Sequence, residues 1–249
     1  MKQVLFFLSA IVLLISCDYT TGSGNVITEK RTVGSFSGIS VSNAIDVEVK
    51  IGPVAAVEVE ADDNIIEHIV TSVSGGILKI GIENLHSISN SHLKVYITNP
   101  VLKSVNANSS AEVKVLDVIK DDGKLSFHAS SSADIEAEVE APEVEAEASS
   151  SGSVTLTGRT KNYKAEVSSS GDIKSAGLLS ENTDVSANSS GSADVHASIS
   201  LNADASSSGS IDYHGAATVK QKVSSSGSVE KKDWYNSLIF IPIESFNYS

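Results

Sequence analysis

Aromatic residues make up only 5% of the 249-residue chain, with a single Trp. A core without bulky rings has to be assembled from Val, Ile, Leu and Ala, which suits thin repeated layers better than a bulky globule. Cysteine occurs once, at Cys17, so no intramolecular disulfide can form. Arginine occurs twice, at Arg31 and Arg159, and the net charge is −13. Nucleic acid and anionic lipid headgroups are therefore poor partners, because both need a basic footprint. Neither a Gly-x-Ser-x-Gly elbow nor a phosphate-binding glycine loop is present.

What is present begins with an export signal. Met1-Lys2 gives a small positive start, and Val4 to Ile15 gives an apolar run of 12 residues. That run is too short to span a bilayer, which takes about 20 apolar residues. Leu14-Ile15-Ser16-Cys17 follows, and it resembles the lipobox of bacterial lipoproteins. The resemblance implies cleavage before Cys17 and lipidation of that residue, anchoring the chain in the envelope, most simply at the outer membrane. Residues 1–16 are then a signal peptide, and 17–31, polar and without periodicity, a tether.

From Thr32 the pattern turns to alternation. Ile45, Val47, Val49 and Ile51 share one face, and Asp46, Glu48 and Lys50 the other, the signature of half-buried strands. Gly75-Gly76 between Val73-Ser74 and Ile77-Leu78 predicts a hairpin. Asp62-Asp63-Asn64 ahead of Ile65, Ile66 and Ile69 has the form of a short helix start, with an extended stretch held by tertiary contacts as the equal alternative. Leu93, Val95 and Ile97 predict a further strand, ended by Asn99-Pro100.

The dominant feature is a phrase of three Ser or Asn residues closed by Gly or Ala. It ends at Ala111, Ala133, Gly152, Gly171, Gly191, Gly209 and Gly227. A near-constant period of about 19 residues marks a stacked solenoid. Four positions before each closing residue stand Ala107, Ala129, Ala148, Val167, Ala187, Ala205 and Val223, and six before stand Val105, Phe127, Ala146, Ala165, Val185, Ala203 and Gln221. Small apolar columns at fixed offsets imply strands with one column inward and the next outward. Rungs of two strands, with room for a third, would stack at about 4.8 Å into a tower roughly 34 Å tall. The serine phrase is then a corner, with Gly tolerating positive φ or close backbone approach.

The opening segment, from Phe36-Ser37-Gly38-Ile39 through Ala44-Ile45-Asp46-Val47-Glu48-Val49 to Gly76-Ile77-Leu78-Lys79-Ile80, resembles the head GIN domain family of putative auto-transporter adhesins, as do the later serine-glycine repeats. The resemblance implies an all-β right-handed parallel β-helix over residues 32–233 and an exported or lipoprotein address. It brings no catalytic residues.

Candidate sites are few. Glu136, Glu138, Glu140, Glu143, Glu145 and Glu147 line the outward side of one rung. No calcium-loop motif accompanies them and Lys164 aligns beside Glu145, so a solvated acidic face is the preferred reading. His196 and His214 lie 18 residues apart and, if stacked, would be placed to share a metal, but no third ligand is evident and titratable surface histidines are the preferred reading. They stack only if the corner ending at Gly191 has the common length, with Ala193 rather than Val195 opening the next strand. A polysaccharide-cleaving enzyme would need a cation beside a base, or paired carboxylates; Arg31, Arg159 and the adjacent pairs Asp62-Asp63 and Asp121-Asp122 do not compose either. The last 16 residues, 234–249, carry the only Trp and the run Leu238-Ile239-Phe240-Ile241, and they read as a cap for the last rung, with a partner-binding segment or a sticky tail as the alternatives. Together these features predict a non-enzymatic, lipid-anchored envelope protein without cofactor or metal that binds a glycan or a surface protein. The alternatives are a polysaccharide-active β-helix enzyme or a structural component without a ligand.

Overall fold

The computed structural model describes residues 19–85 and 87–233. The signal peptide, Cys17 and the segment 234–249 lie outside the described residues. Alternating apolar columns produce an all-β solenoid of about seven turns with an N-terminal mixed sheet. In each turn one strand runs into the serine corner and another leaves it.

The entering strands, including Gly38–Val41, Ser104–Ala107, Lys124–Ser130, Leu178–Ala187, Ser200–Ala205 and Thr218–Val223, form one parallel face. The leaving strands, including Asp46–Ile51, Glu112–Val115, Asp172–Ser175, Ser192–His196, Ser210–His214 and Ser228–Lys231, form a second. Asp134–Ser149 and Ser153–Val167 are long enough to contribute to both faces. The columns match the expected alignment residue for residue: Ala107, Ala129, Ala148, Val167, Ala187, Ala205 and Val223 are successive partners. All but the last are buried. A third, short face joins the other two through Ile119–Lys120 and the stretches 139–141, 158–160 and 178–180.

Each corner places its second and third residues at positive φ, for example Ser169 at 51° and Ser170 at 61°. The fourth residue's N–H donates to the first residue's carbonyl, giving a mirror-image turn of the type I′ kind. Left-handed backbone costs a non-glycine residue roughly 1–2 kcal/mol. It is offset by a ladder in which the third residue's N–H donates to the second residue's carbonyl one rung on, at 2.9–3.2 Å from Ala44 through Ser208. The closing Gly is not at positive φ in any of these corners. It is required by close approach: a Cβ on Gly171 would stand 2.5 Å from the Ala148 carbonyl oxygen, and one on Gly152 2.6 Å from that of Ala129.

An additional corner lies at Ser42-Asn43-Ala44-Ile45, with Asn43 at 66° and Ala44 at 53°. It belongs to the first rung, because Val41 pairs with Ala107 and Asp46 with Glu112. Between this corner and the next, the chain inserts the strands that close the N-terminal end. Ile77–Ile82 extends the entering face in parallel and turns back through Gly75-Gly76 to Ile69–Ser74. Leu93–Asn99 extends the leaving face, followed outward by Ala56–Asp62 and Val26–Arg31, both antiparallel. The open edge is thus covered by antiparallel strands, the outermost carrying Glu29, Lys30 and Arg31.

Two expectations are corrected here. The stretch 17–31, expected to be a tether, contains at Val26–Arg31 an edge strand paired over its whole length with Ala56–Asp62. The helix expected after Asp62-Asp63-Asn64 is a single 3₁₀ turn, Ile66–His68, without a side-chain cap. The capping-type residues are spent elsewhere. Asp62 accepts hydrogen bonds from the backbone N–H of Gly24 and His92, both at 2.7 Å. Asp63 accepts from the Ser23 hydroxyl at 2.5 Å and the Asn25 amide at 2.7 Å. Those two donors hold the Asp63 carboxyl below the usual carboxylate range.

Candidate functional site

Inside, successive rungs repeat; outside, they differ, and a broad, open concavity lies along the third face. It encloses about 880 Å³ between residues 120–122, 140–142, 159–161 and 179–181, with His196 and Ser198 at one end. The chain itself sets that end. The rung closing at Gly191 uses 20 residues and includes the third strand, whereas those closing at Gly209 and Gly227 use 18. In the first short rung only 197–199 separate Ser192–His196 from Ser200–Ala205. The bridging residues stay bonded to the rung before, through Ser198 N to Ser180 O at 3.0 Å and Ile199 N to Glu181 O at 2.8 Å.

Along this face one outward column reads Lys120, Glu140, Arg159, Leu179. Lys120 and Glu140 form an ion pair at 2.7 Å. That lysine, with Arg159 farther off, holds the Glu140 carboxyl below its ordinary range. Among the described residues, neither Arg159 nor Lys161 has a carboxylate within 4.0 Å, and Leu179 beside Arg159 is 45% exposed. Behind Arg159, Gly158 adopts φ 110° with its backbone against Val139, where no side chain would fit.

Beneath the cleft the core turns polar. Ser175, Ser180 and Thr183 are buried. The Ser180 and Thr183 hydroxyls are 2.6 Å apart, and both reach the His196 carbonyl, Thr183 at 2.7 Å. Ser175 donates to the Asp194 carbonyl at 3.1 Å. Of the two hydroxyl protons, one is donated to the carbonyl and the other bridges the two hydroxyl oxygens. The set fixes the backbone that carries His196. Thr183 and Ser175 were visible in the sequence as single hydroxyl residues in the columns Leu125, Val144, Tyr163, Thr183, Leu201 and Val115, Ala137, Leu156, Ser175, Val195; Ser180 left no such signal.

The two histidines are brought together. Ala193 pairs with Ile211 and Val195 with Tyr213, so the corner has the common length and His196 pairs with His214. His214 Nε2 lies 3.0 Å from Asp194 Oδ1. Burial lowers the His196 pKa, and the adjacent His214 adds to that. Burial also raises the Asp194 carboxyl, against the opposing pull of His214. Among the described residues no group of three or more His, Cys, Asp or Glu is arranged to hold a metal ion.

The glutamate row is an ion-pair lattice. Glu136 meets Lys114 at 3.0 Å, and Glu147 meets His128 Nδ1 at 3.1 Å. Glu145 is shared by Lys124 at 2.5 Å and Lys164 at 3.1 Å, which hold its pKa down. Cations of neighbouring rungs thus occupy several of the oxygens a calcium ion would need. The corner serines are outward and exposed at their second and third positions, seven deep. Arg31 is far from the cleft, donating to the Ile66 carbonyl at 2.9 Å and pairing with Glu29 at 3.0 Å.

The family model described as putative auto-transporter adhesin, head GIN domain, matches residues 35–217. The chain belongs to this family. Its fold recurs in a putative adhesin from Bacteroides fragilis, 19% identical, with TM-score 0.78 over 85% of this chain and 98% of that one. A putative adhesin from Parabacteroides distasonis is 26% identical, with TM-score 0.70 over 86% of this chain and all of that one. A putative lipid binding protein from the same organism is 21% identical, with TM-score 0.68 over 87% and 100%. No curated protein is similar enough to count as a relative. The family match falls within the solenoid, which runs on through Thr218–Val223 and Ser228–Lys231.

Proposed function

We propose that this head GIN protein is a non-enzymatic, lipid-anchored envelope protein that binds its ligand on the outward surface of the solenoid. The observation that carries the reading is the third-face cleft: a rung-built, open concavity of ligand size, lined by side chains that differ from rung to rung while the interior repeats. The adhesin family supports it. So does the engagement of Glu136, Glu140 and Glu145 with lysines, which leaves those carboxylates acting as ion-pair partners rather than as an acid and base pair. The partner is a glycan or a surface protein. Cys17 supplies the anchor, and residues 234–249 are assigned to covering the last rung, where Val223 is 46% exposed although its column is buried in every earlier rung.

The test is a screen of the purified full chain, in detergent micelles, against a glycan array and against extracts of bacterial and host surfaces. A ligand should emerge whose binding is lost when cleft residues are changed. Blank results throughout at high micromolar protein would overturn the reading.

A further inference from the structure

We infer that the third-face cleft is a subsite for an acidic saccharide, with Arg159 and Lys161 holding a uronate-type carboxylate and Leu179 meeting the apolar face of the sugar ring. This rests on the binding reading above and specifies its ligand.

The argument starts from how this chain spends its cations. Ten lysines of the described residues are tied into ion pairs with carboxylates. In a chain of net charge −13 that is the expected fate of a cation. Lys50, Lys79, Lys220 and Lys231 stand unbridged and singly on strand faces. Arg159 and Lys161 stand unbridged together, two residues apart on one strand with the buried Thr160 between them, so both point outward into the same cleft. Arg159 offers a planar fork of donors suited to a carboxylate, and Lys161 a second charge beside it.

The rest of the lining suits a sugar better than a bare anion. Leu179 continues the Arg159 column into the next rung and presents an exposed apolar surface. Ser198 and the carboxylates of Asp122 and Glu181 line the same cleft and can bond ring hydroxyls. A volume of about 880 Å³ exceeds what a phosphate or acetate would fill. A neutral sugar would make no use of the outward guanidinium and ammonium, and a cationic ligand would meet both head-on.

The probe is tetragalacturonate, titrated calorimetrically into the full chain in micelles at low and physiological salt. Cellotetraose serves as a neutral tetramer and inorganic phosphate as a bare anion. Tetragalacturonate should bind and the other two should not. Binding should weaken as salt rises, because local attraction dominates; control by the overall negative charge would give the opposite slope. The double variant Arg159→Gln/Lys161→Gln should weaken binding by about tenfold or more, and Leu179→Ala by a few-fold. Lys50→Gln/Lys79→Gln makes the same charge change away from the cleft and should leave binding unaltered. All of these side chains are exposed or nearly so, and unchanged thermal unfolding confirms folding of each variant. Equal binding of cellotetraose, equal binding of phosphate, indifference to the cleft variants, or no binding of tetragalacturonate at millimolar concentration would each overturn the inference. A ligand of another class that depends on the cleft would overturn the saccharide assignment alone and leave the binding reading standing.

Discussion

Replacing Gly171 by Ala should destabilise the solenoid, whereas replacing its neighbour Ser170 by Gly should not. Conformational reasoning on the phrase Ser-Ser-Ser-Gly would place the glycine at positive φ, but Ser169 and Ser170 carry it, at 51° and 61°. A Cβ at 171 keeps an allowed backbone and meets the previous rung instead, 2.5 Å from the Ala148 oxygen, 2.6 Å from its carbon and 2.9 Å from Ser149 N. The molecule shows what accommodation looks like. Where the closing residue is Ala, at 111 and 133, the turn hydrogen bond measures 3.3 and 3.2 Å; where it is Gly it measures 2.8–2.9 Å.

Installing Ala at 171 therefore stretches a turn bond worth about 1 kcal/mol. It also strains neighbouring ladder bonds such as Ser168 N to Ala148 O, 3.0 Å, adding overpacking of about 1–3 kcal/mol. A gain of about 0.4–1 kcal/mol from a stiffer unfolded chain opposes this. The net loss is about 1–3 kcal/mol. Ser170→Gly removes roughly 1–2 kcal/mol of left-handed strain and incurs about 0.5–1 kcal/mol of backbone entropy, so it should be neutral to mildly stabilising. Equilibrium denaturation measures both. Because rungs of a solenoid can open singly, amide exchange at the 168–171 and 149–152 corners should report the loss locally. A Gly171→Ala variant as stable as the parent, or a Ser170→Gly variant clearly weakened, would refute the steric assignment.

The buried hydroxyls make a second prediction. Ser180→Ala and Thr183→Val should each cost about 1 kcal/mol, while the double variant leaves the His196 carbonyl bare and costs about 1–3 kcal/mol beyond their sum; additivity in denaturant unfolding would argue against a shared network. Titration gives a third. His196 has its pKa lowered from 6.5 by burial, so the unfolded chain binds the proton more readily and stability should fall as pH drops below about 6.5. His196→Gln should remove part of that slope between pH 7 and 5.5, and an unchanged slope in pH-dependent unfolding would contradict the assignment. Fourth, Cys17→Ser should move the protein from the membrane to the soluble fraction on cell lysis, and unchanged fractionation would refute the lipid anchor.

How far these features were legible depends on whether a residue's role repeats. The corners and inward columns were readable because seven copies average out local accident: Ala107 means little alone, but Ala107, Ala129, Ala148 and Ala187 at one offset define a wall. The first corner escaped because its single copy, Ser42-Asn43-Ala44-Ile45, lacks the serine run and stands 66 positions before its equivalent. The strand at Val26–Arg31 escaped because an outer edge strand buries little, and its pattern is mostly exposed. Asp62-Asp63-Asn64 misled because the same side chains that cap helices also clamp loops, and the loop partner at 22–25 is some 40 residues away.

The cleft is the opposite case from the corners, since it arises where repetition stops. Its only trace in the sequence is the shortening of the period from 20 to 18 after Gly191, which removes the third strand from the rungs that follow. A solenoid whose rungs all kept the same length would present the same columns along its whole height. Specificity requires a break in that monotony, and in this chain the break sets His196 and Ser198 at the end of the cleft that the unbridged pair Arg159 and Lys161 lines with Leu179. Variation in repeat length, rather than the conserved phrase within each repeat, is therefore the feature of such a sequence that points toward its binding surface.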